Sequence, residues 1–206
     1  MTTPVAVLFA RADSNYKPLP GCDVYDIDRD ARTFAGGMPV VAHPPCRMWG
    51  KLRKFAKGRA DEKDLARFAV KMVREWGGVL EHPFSSTLWL DQDLPAIGQR
   101  DGYGGWTLVI DQDWFGHKAE KRTKLYIVGV EPRDIPPLPF RIEEPTHVLA
   151  SDRRAGPGRD SPRLKKGDPG WRPEISKAER EHTPQLLAEW LVELARRCRV
   201  DRRQGA

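Results

Sequence analysis

The chain is poor in cysteine. Cys22, Cys46 and Cys198 are its only three, widely separated and without a Cys-x-x-Cys pair, which argues against a disulfide framework and for reduced thiols in a cytoplasm. Long apolar runs are missing too, since nothing approaches the ~18–20 residues of a membrane span. The run Val5 to Ala10 is too short for a signal peptide and has no basic flank. There are no internal repeats. Neither sign of charge dominates: 35 Lys and Arg against 29 Asp and Glu leave +6, a mild tilt towards polyanionic partners. With 206 residues, 39% of them hydrophobic, the chain has the length of one domain and enough apolar side chains for a core.

What is present centres on Val40-Val41-Ala42-His43-Pro44-Pro45-Cys46-Arg47-Met48-Trp49-Gly50. The apolar run from Met38 to Ala42 reads as a buried strand stopped by the proline pair. Cys46 then sits on a stiff turn at the strand's carboxyl end, where open α/β sheets place ligands and chemistry. Pro4 to Ala10 reads as an earlier buried strand and Asp23 to Ile27 as a second, ending in the acidic cluster Asp26, Asp28 and Asp30. Spacing this tight predicts a parallel α/β sheet with abbreviated crossovers. Leu65, Phe68, Ala69, Met72, Val73 and Trp76 recur at helical spacing, with Asp61 and Glu62 at the start and Gly77-Gly78 as the stop, so a helix is expected over 61–77. Val79-Leu80 makes the next strand, ending in Glu81-His82-Pro83. A right-handed strand–helix–strand unit would bring Glu81 to the same sheet end as Cys46.

A loop with a short helix is expected over 84–105. Strands over 106–110 and 124–130 follow, joined as a hairpin with Arg122 entering the second. Prolines 132, 136, 137, 139 and 145 mark an extended linker. Ser151 to Arg172 reads as a basic loop, seven Lys and Arg against three Asp. The chain closes with a helix capped by Thr183, with Pro184 at its first position and Leu186, Leu187, Trp190, Leu191 and Leu194 as its buried face. The expected layout is 1–150 as the catalytic unit, 151–175 as a basic loop and 176–200 as a helix packing back on it.

Taken together, strand-Pro-Pro-Cys, then strand-Glu-x-Pro, then Gln112-x-x-x-Gly116 leading to Arg122-Thr123-x-x-Tyr126-Ile127-Val128-Gly129, in this order, resembles the DNA (cytosine-5)-methyltransferases. The resemblance implies a Rossmann-like S-adenosylmethionine-methyltransferase fold, an α/β architecture with a reduced, mainly parallel sheet. It implies Cys46 as nucleophile, Glu81 as the carboxyl group at the base edge and Arg122 as a holder of the base. Asp26 would bind the cofactor ribose, Ile27 would lie under the adenine, and Phe9 and Pro44 would complete the S-adenosylmethionine contacts. DNA would be the partner, with Arg47, Lys51, Arg53, Arg153, Arg154, Lys165 and Lys166 contacting phosphates.

The chemistry accounts for these residue types. Cytosine C5 is a poor nucleophile until a thiolate adds at C6, and a cysteine does this far better than a serine. A duplex target must be flipped out to reach such a pocket.

Three features depart from the family. Phe9-Ala10-Arg11-Ala12-Asp13-Ser14 stands where its Phe-x-Gly-x-Gly cofactor loop would be, the stretch from Asp26 to Cys46 is short, and 130–183 is short for a target-recognition domain. The chain thus looks like a pared-down phage form, in a bacterial or phage-infected cytoplasm, with a partner protein supplying target recognition. Three other readings stay open. One is a zinc site from His43, Cys46, His82 and His117, against which position 49 holds Trp49 in place of a second cysteine. Another is a non-catalytic methyltransferase-like module. The last is a cytosine-modifying enzyme with a different donor or a free nucleotide substrate.

Overall fold

The computed structural model describes residues 2–51, 53–141, 143–149 and 163–200. They form an α/β fold around a six-stranded sheet in the order β2-β1-β3-β4-β6-β5. The strands are β1 (Val5–Leu8), β2 (Cys22–Tyr25), β3 (Val40–Ala42), β4 (Gly78–Pro83), β5 (Trp106–Asp111) and β6 (Arg122–Val128). β1 pairs in parallel with β2 and β3, and β3 with β4, whereas β6 is antiparallel to both neighbours, β4 and β5. The sheet is therefore mixed: three of its pairings are parallel, as expected, and the two made by β6 are antiparallel. The hairpin expected over 106–130 does form, but its second strand inserts between β4 and β5.

Strand alternation divides the core into two layers. Ala6, Leu8, Val40, Ala42, Leu80, Tyr126 and Val128 face α1 (Glu62–Trp76), while Val5, Val7, Val41, Val79, Leu125 and Ile127 face α4 (Gln185–Arg197). α1 buries Leu65, Ala69, Met72 and Val73 of the expected stripe together with Ala66 and Val70, while Phe68 and Trp76 pack half-buried at its edge, and it ends at Gly77 with φ of 74°. The neighbouring Gly78 cannot be replaced without moving backbone, because a Cβ there would lie 2.0 Å from the Val40 carbonyl oxygen. That close approach sets the seam between β3 and β4.

α4 starts one residue later than expected. Pro184 has an extended ψ of 147° and occupies the cap itself, with no side-chain cap from Thr183. Leu186 is 43% exposed and is not part of the buried face, which runs through Leu187, Trp190, Leu191, Leu194 and Ala195. Position 186 falls just outside that i, i+3, i+4, i+7, i+8 stripe. The proline-rich linker packs against α4: the Trp190 indole N–H donates to the Pro137 carbonyl at 3.0 Å. The short helices α2 (Leu88–Asp91) and α3 (Lys177–Glu181) complete the fold. No helix among the described residues is long and apolar enough to cross a membrane.

Candidate active site

The site lies at the carboxyl ends of the parallel strands. After β3 the chain leaves the sheet through His43-Pro44-Pro45, and the His43 amide donates to the Leu8 carbonyl on β1 at 3.0 Å. Pro44 is buried. Cys46 closes a tight turn in which its carbonyl accepts from the amides of Trp49 and Gly50 (3.0 and 2.9 Å). Trp49, 2% exposed, anchors this loop in the core, and its carbonyl accepts from the Thr87 amide after β4. The sequence thus holds an exposed thiol on a backbone fixed by two prolines, a buried tryptophan and a neighbouring loop. The protein mass around Cys46 pushes its thiol up, the Glu81 charge adds to that, and Lys121 opposes both.

Glu81 is the centre of a hydrogen-bonded chain drawn from five segments. Its Oε2 lies 3.1 Å from His43 Nδ1, and its Oε1 accepts from Gln112 Nε2 at 3.0 Å. The same Gln112 nitrogen donates to Thr123 Oγ1 on β6 (3.0 Å), and that hydroxyl donates to the Lys121 carbonyl at 3.0 Å. On the far side, the buried Tyr16 hydroxyl lies 2.7 Å from His43 Nε2. Burial alone would push the Glu81 carboxyl up, but the hydrogen bond from His43 and the charge of Lys121 outweigh it and hold it down, at about 2. The side chain keeps 14% exposure, so an ionised carboxylate is offered to whatever enters the site.

The structure brings Cys46 and Glu81 to one place, but Arg122 elsewhere. Thr123 shares the α4 side of β6 with Leu125 and Ile127, so Arg122 and Lys124 project on the α1 side. There the Arg122 guanidinium sits 4.5 Å from the Phe84 ring centre, and the Lys124 amine lies 5.2 Å from the rings of both Phe84 and Trp89. The cation felt by both Glu81 and Cys46 is Lys121, which the sequence reading did not single out. Tyr16 and Gln112 were also passed over as site residues. Gln112 opens the recognised motif, whereas Tyr16 carries no local signal.

The remaining expected residues are scattered around this centre. Asp26, just past β2, pairs with Lys17 at 2.7 Å. The Lys17 hydrogen bond, together with backbone donors at Asp28 and Arg29, holds its carboxyl low. Ile27 beside it is 76% exposed. Phe9 at the end of β1 has φ of 63°, the left-handed conformation that glycine takes at lower cost. Arg47 spans to the buried Glu62 at 2.8 Å and so fastens the cysteine loop to the start of α1. Lys51, Arg53, Lys165 and Lys166 are exposed. Arg153 and Arg154 lie outside the described residues.

The histidines do not converge. His82 points to the α1 side, its Nδ1 2.7 Å from Ser86 Oγ, and His117 turns back on its own loop at Ala119. Among the described residues no group of three His, Cys, Asp or Glu is placed to hold a metal ion. No model of a known protein family matches the chain, and no curated protein matches its sequence.

Proposed function

We propose that this protein modifies cytosine at C5, with Cys46 as nucleophile, on a reduced Rossmann-like methyltransferase fold, and that DNA carries the target base. The observation that carries the reading is the convergence of an exposed thiol and an ionised, half-buried carboxylate at the ends of adjacent parallel strands. The strand order, with an antiparallel β6 beside β4, is consistent with such a fold.

In this reading Cys46 Sγ forms a bond to cytosine C6 and the C5=C6 electron pair makes C5 nucleophilic. The thiol proton leaves Sγ and a proton is taken up at N3. Glu81, facing the same place, carries it between them. S-adenosylmethionine, when bound, supplies an electrophilic methyl group. Loss of the C5 proton to water, with the N3 proton returned through Glu81 to Sγ, then restores the C5=C6 bond and releases the thiol. Phe9, Asp26, Ile27 and Pro44 would hold the donor. The ionised Asp26 and the bare Ile27 side chain suit a ribose and an adenine. Arg122, Lys124 and Phe84, on the α1 side, together with Lys51, Arg53, Lys165 and Lys166, would meet the DNA backbone and a flanking base.

One observation favours a second reading, a cytosine-modifying enzyme with another donor: Asp26 is already engaged by Lys17. Both are tested by incubating the protein with DNA and S-adenosylmethionine labelled in the methyl group. Label transferred to cytosine, and lost in Cys46→Ser, supports the first. Tight DNA binding with no uptake of S-adenosylmethionine in a calorimetric titration supports the second.

A further inference from the structure

Hydroxyls and imidazoles can each donate or accept, yet the surroundings of His43 leave one arrangement of protons. Tyr16 is 1% exposed and lies in the core layer under α4. Among the described residues its hydroxyl has a single hydrogen-bond partner, His43 Nε2. Were the His43 proton on Nε2, the hydroxyl would have to accept it, and its own proton would face apolar side chains without a partner. The bare Nδ1 lone pair would then face a carboxylate oxygen 3.1 Å away. With both nitrogens protonated the hydroxyl proton is still stranded. Only the form with one proton, on Nδ1, satisfies every group, because a stranded buried donor is expensive.

Gln112 is fixed by the same logic. Its nitrogen faces two acceptors, Glu81 Oε1 and a Thr123 hydroxyl already donating to a carbonyl. Flipping the amide would set oxygen against oxygen.

We infer that Tyr16, His43 and Gln112 are positioning residues that form a one-way chain of donors converging on Glu81, Tyr16 to His43 and His43 to Oε2 on one side and Gln112 to Oε1 on the other. This deepens the reading of the site given above and rests on it for its catalytic meaning. Each carboxylate oxygen spends one lone pair on a neutral donor and keeps another for the substrate. His43 brings a hydrogen bond and no charge, so the pair carries the full negative charge of Glu81. The other charged or titratable groups around the pair are Lys121 before β6, His82 on β4 and the Cys46 thiol. The surface offered is acceptor-only, and it suits a pyrimidine presenting an exocyclic amine beside a protonated ring nitrogen. The 4-oxo group of uracil or thymine would meet it oxygen to oxygen.

The tautomer is read by nitrogen NMR on the 15N-labelled chain at pH 7.5. With only five histidines, His43 is assigned by its loss in His43→Asn. A protonated Nδ1 and a bare Nε2 are expected, and Tyr16→Phe should populate the Nε2-protonated form. A proton on Nε2 in the wild type, or on both nitrogens, overturns the inference. A second arm measures covalent capture of DNA containing 5-fluorocytosine with S-adenosylmethionine present. His43→Ala should slow capture about 10–100-fold, the loss expected for a hydrogen bond to a charged group. His43→Asn, which keeps an N–H near the Nδ1 position, should recover much of the rate. DNA affinity should not change in either variant. Capture at the wild-type rate by both His43→Ala and Tyr16→Phe also overturns the inference. A wild type that captures nothing counts against the proposed function, and the NMR result alone then decides the tautomer.

Discussion

Glu81 and His82 are neighbours on one strand, and alternation sends them to opposite sides of the sheet. Glu81 enters the α4 side between two donors, beside a lysine, and is held ionised. His82 enters the α1 side, fully buried, with Ser86 Oγ at Nδ1. Burial pushes it down to about 4 although the Glu81 charge pulls the other way. Two adjacent ionisable groups thus meet burial with opposite results. What differs is the balance: N–H groups and a cation outweigh burial at the carboxylate, whereas at the imidazole a hydroxyl and the Pro44 and Pro45 carbonyls do not. Burial decides the charge state at this sheet edge only where the partners do not outweigh it.

His82 gives the largest handle on that contrast. Its value is depressed from 6.5 in the unfolded chain to about 4 in the folded one. The folded state therefore refuses a proton that the unfolded state accepts. Its contribution to stability is fully present above pH 6.5 and is lost as the pH falls towards 4, by about 3 kcal/mol. Urea midpoints for the wild type should drop between pH 7 and pH 4.5, and His82→Asn should flatten the drop. An unchanged slope in the variant would show that the charge of His82 is not what the α1 side resists.

Asp111 sharpens the comparison from the hairpin, with the opposite sign. Burial, Asp113 and Glu120 push its carboxyl up to about 6, with Arg122 opposing. Folding favours its protonated form, so that contribution is present below about pH 4 and is lost as the pH rises through 6. Asp111→Asn should stabilise the protein at pH 8 by about 1–2 kcal/mol, allowing for partial exposure, and by nearly nothing at pH 4. Thermal melts at the two pH values make the check.

The smallest effect is on Cys46. Cys46 is exposed, whereas Cys22 is half-buried and Cys198 buried, so iodoacetamide at limiting dose reports on Cys46. Removing the Glu81 charge with Glu81→Gln should raise its alkylation rate about 3–10-fold at pH 7.5, and Lys121→Met should lower it by a similar factor, each within the reach of one nearby charge. If both variants react at the wild-type rate, thiol and carboxylate do not share a site.

The β3–α1–β4 unit was legible because each part has a local signature: a β-branched run stopped by Pro44-Pro45, a stripe from Leu65 to Val73, and a Gly77-Gly78 stop. Co-location of Cys46 and Glu81 followed from that unit alone. The side on which Arg122 projects depends on the register between β4 and β6, set by Glu81 lying opposite Leu125. No pattern within either strand encodes that pairing. Tyr16 was out of reach for the same reason, since it meets His43 only through the loop after β1. His43 was visible but was read as a candidate metal ligand, because its partners lie 27 residues before it and 38 after.

The most direct test of the central claim is covalent capture. Fluorine at C5 cannot leave as a proton does, so an enzyme that has added through sulfur and transferred a methyl group stays bonded to the base. The protein is incubated with duplex DNA containing 5-fluorocytosine and S-adenosylmethionine, denatured, and weighed by mass spectrometry. A complex of protein plus DNA strand plus one methyl group, mapped to Cys46, absent in Cys46→Ser and strongly slowed in Glu81→Gln, is the predicted result. DNA and S-adenosylmethionine both bound with no adduct, or an adduct that persists in Cys46→Ser, would contradict it.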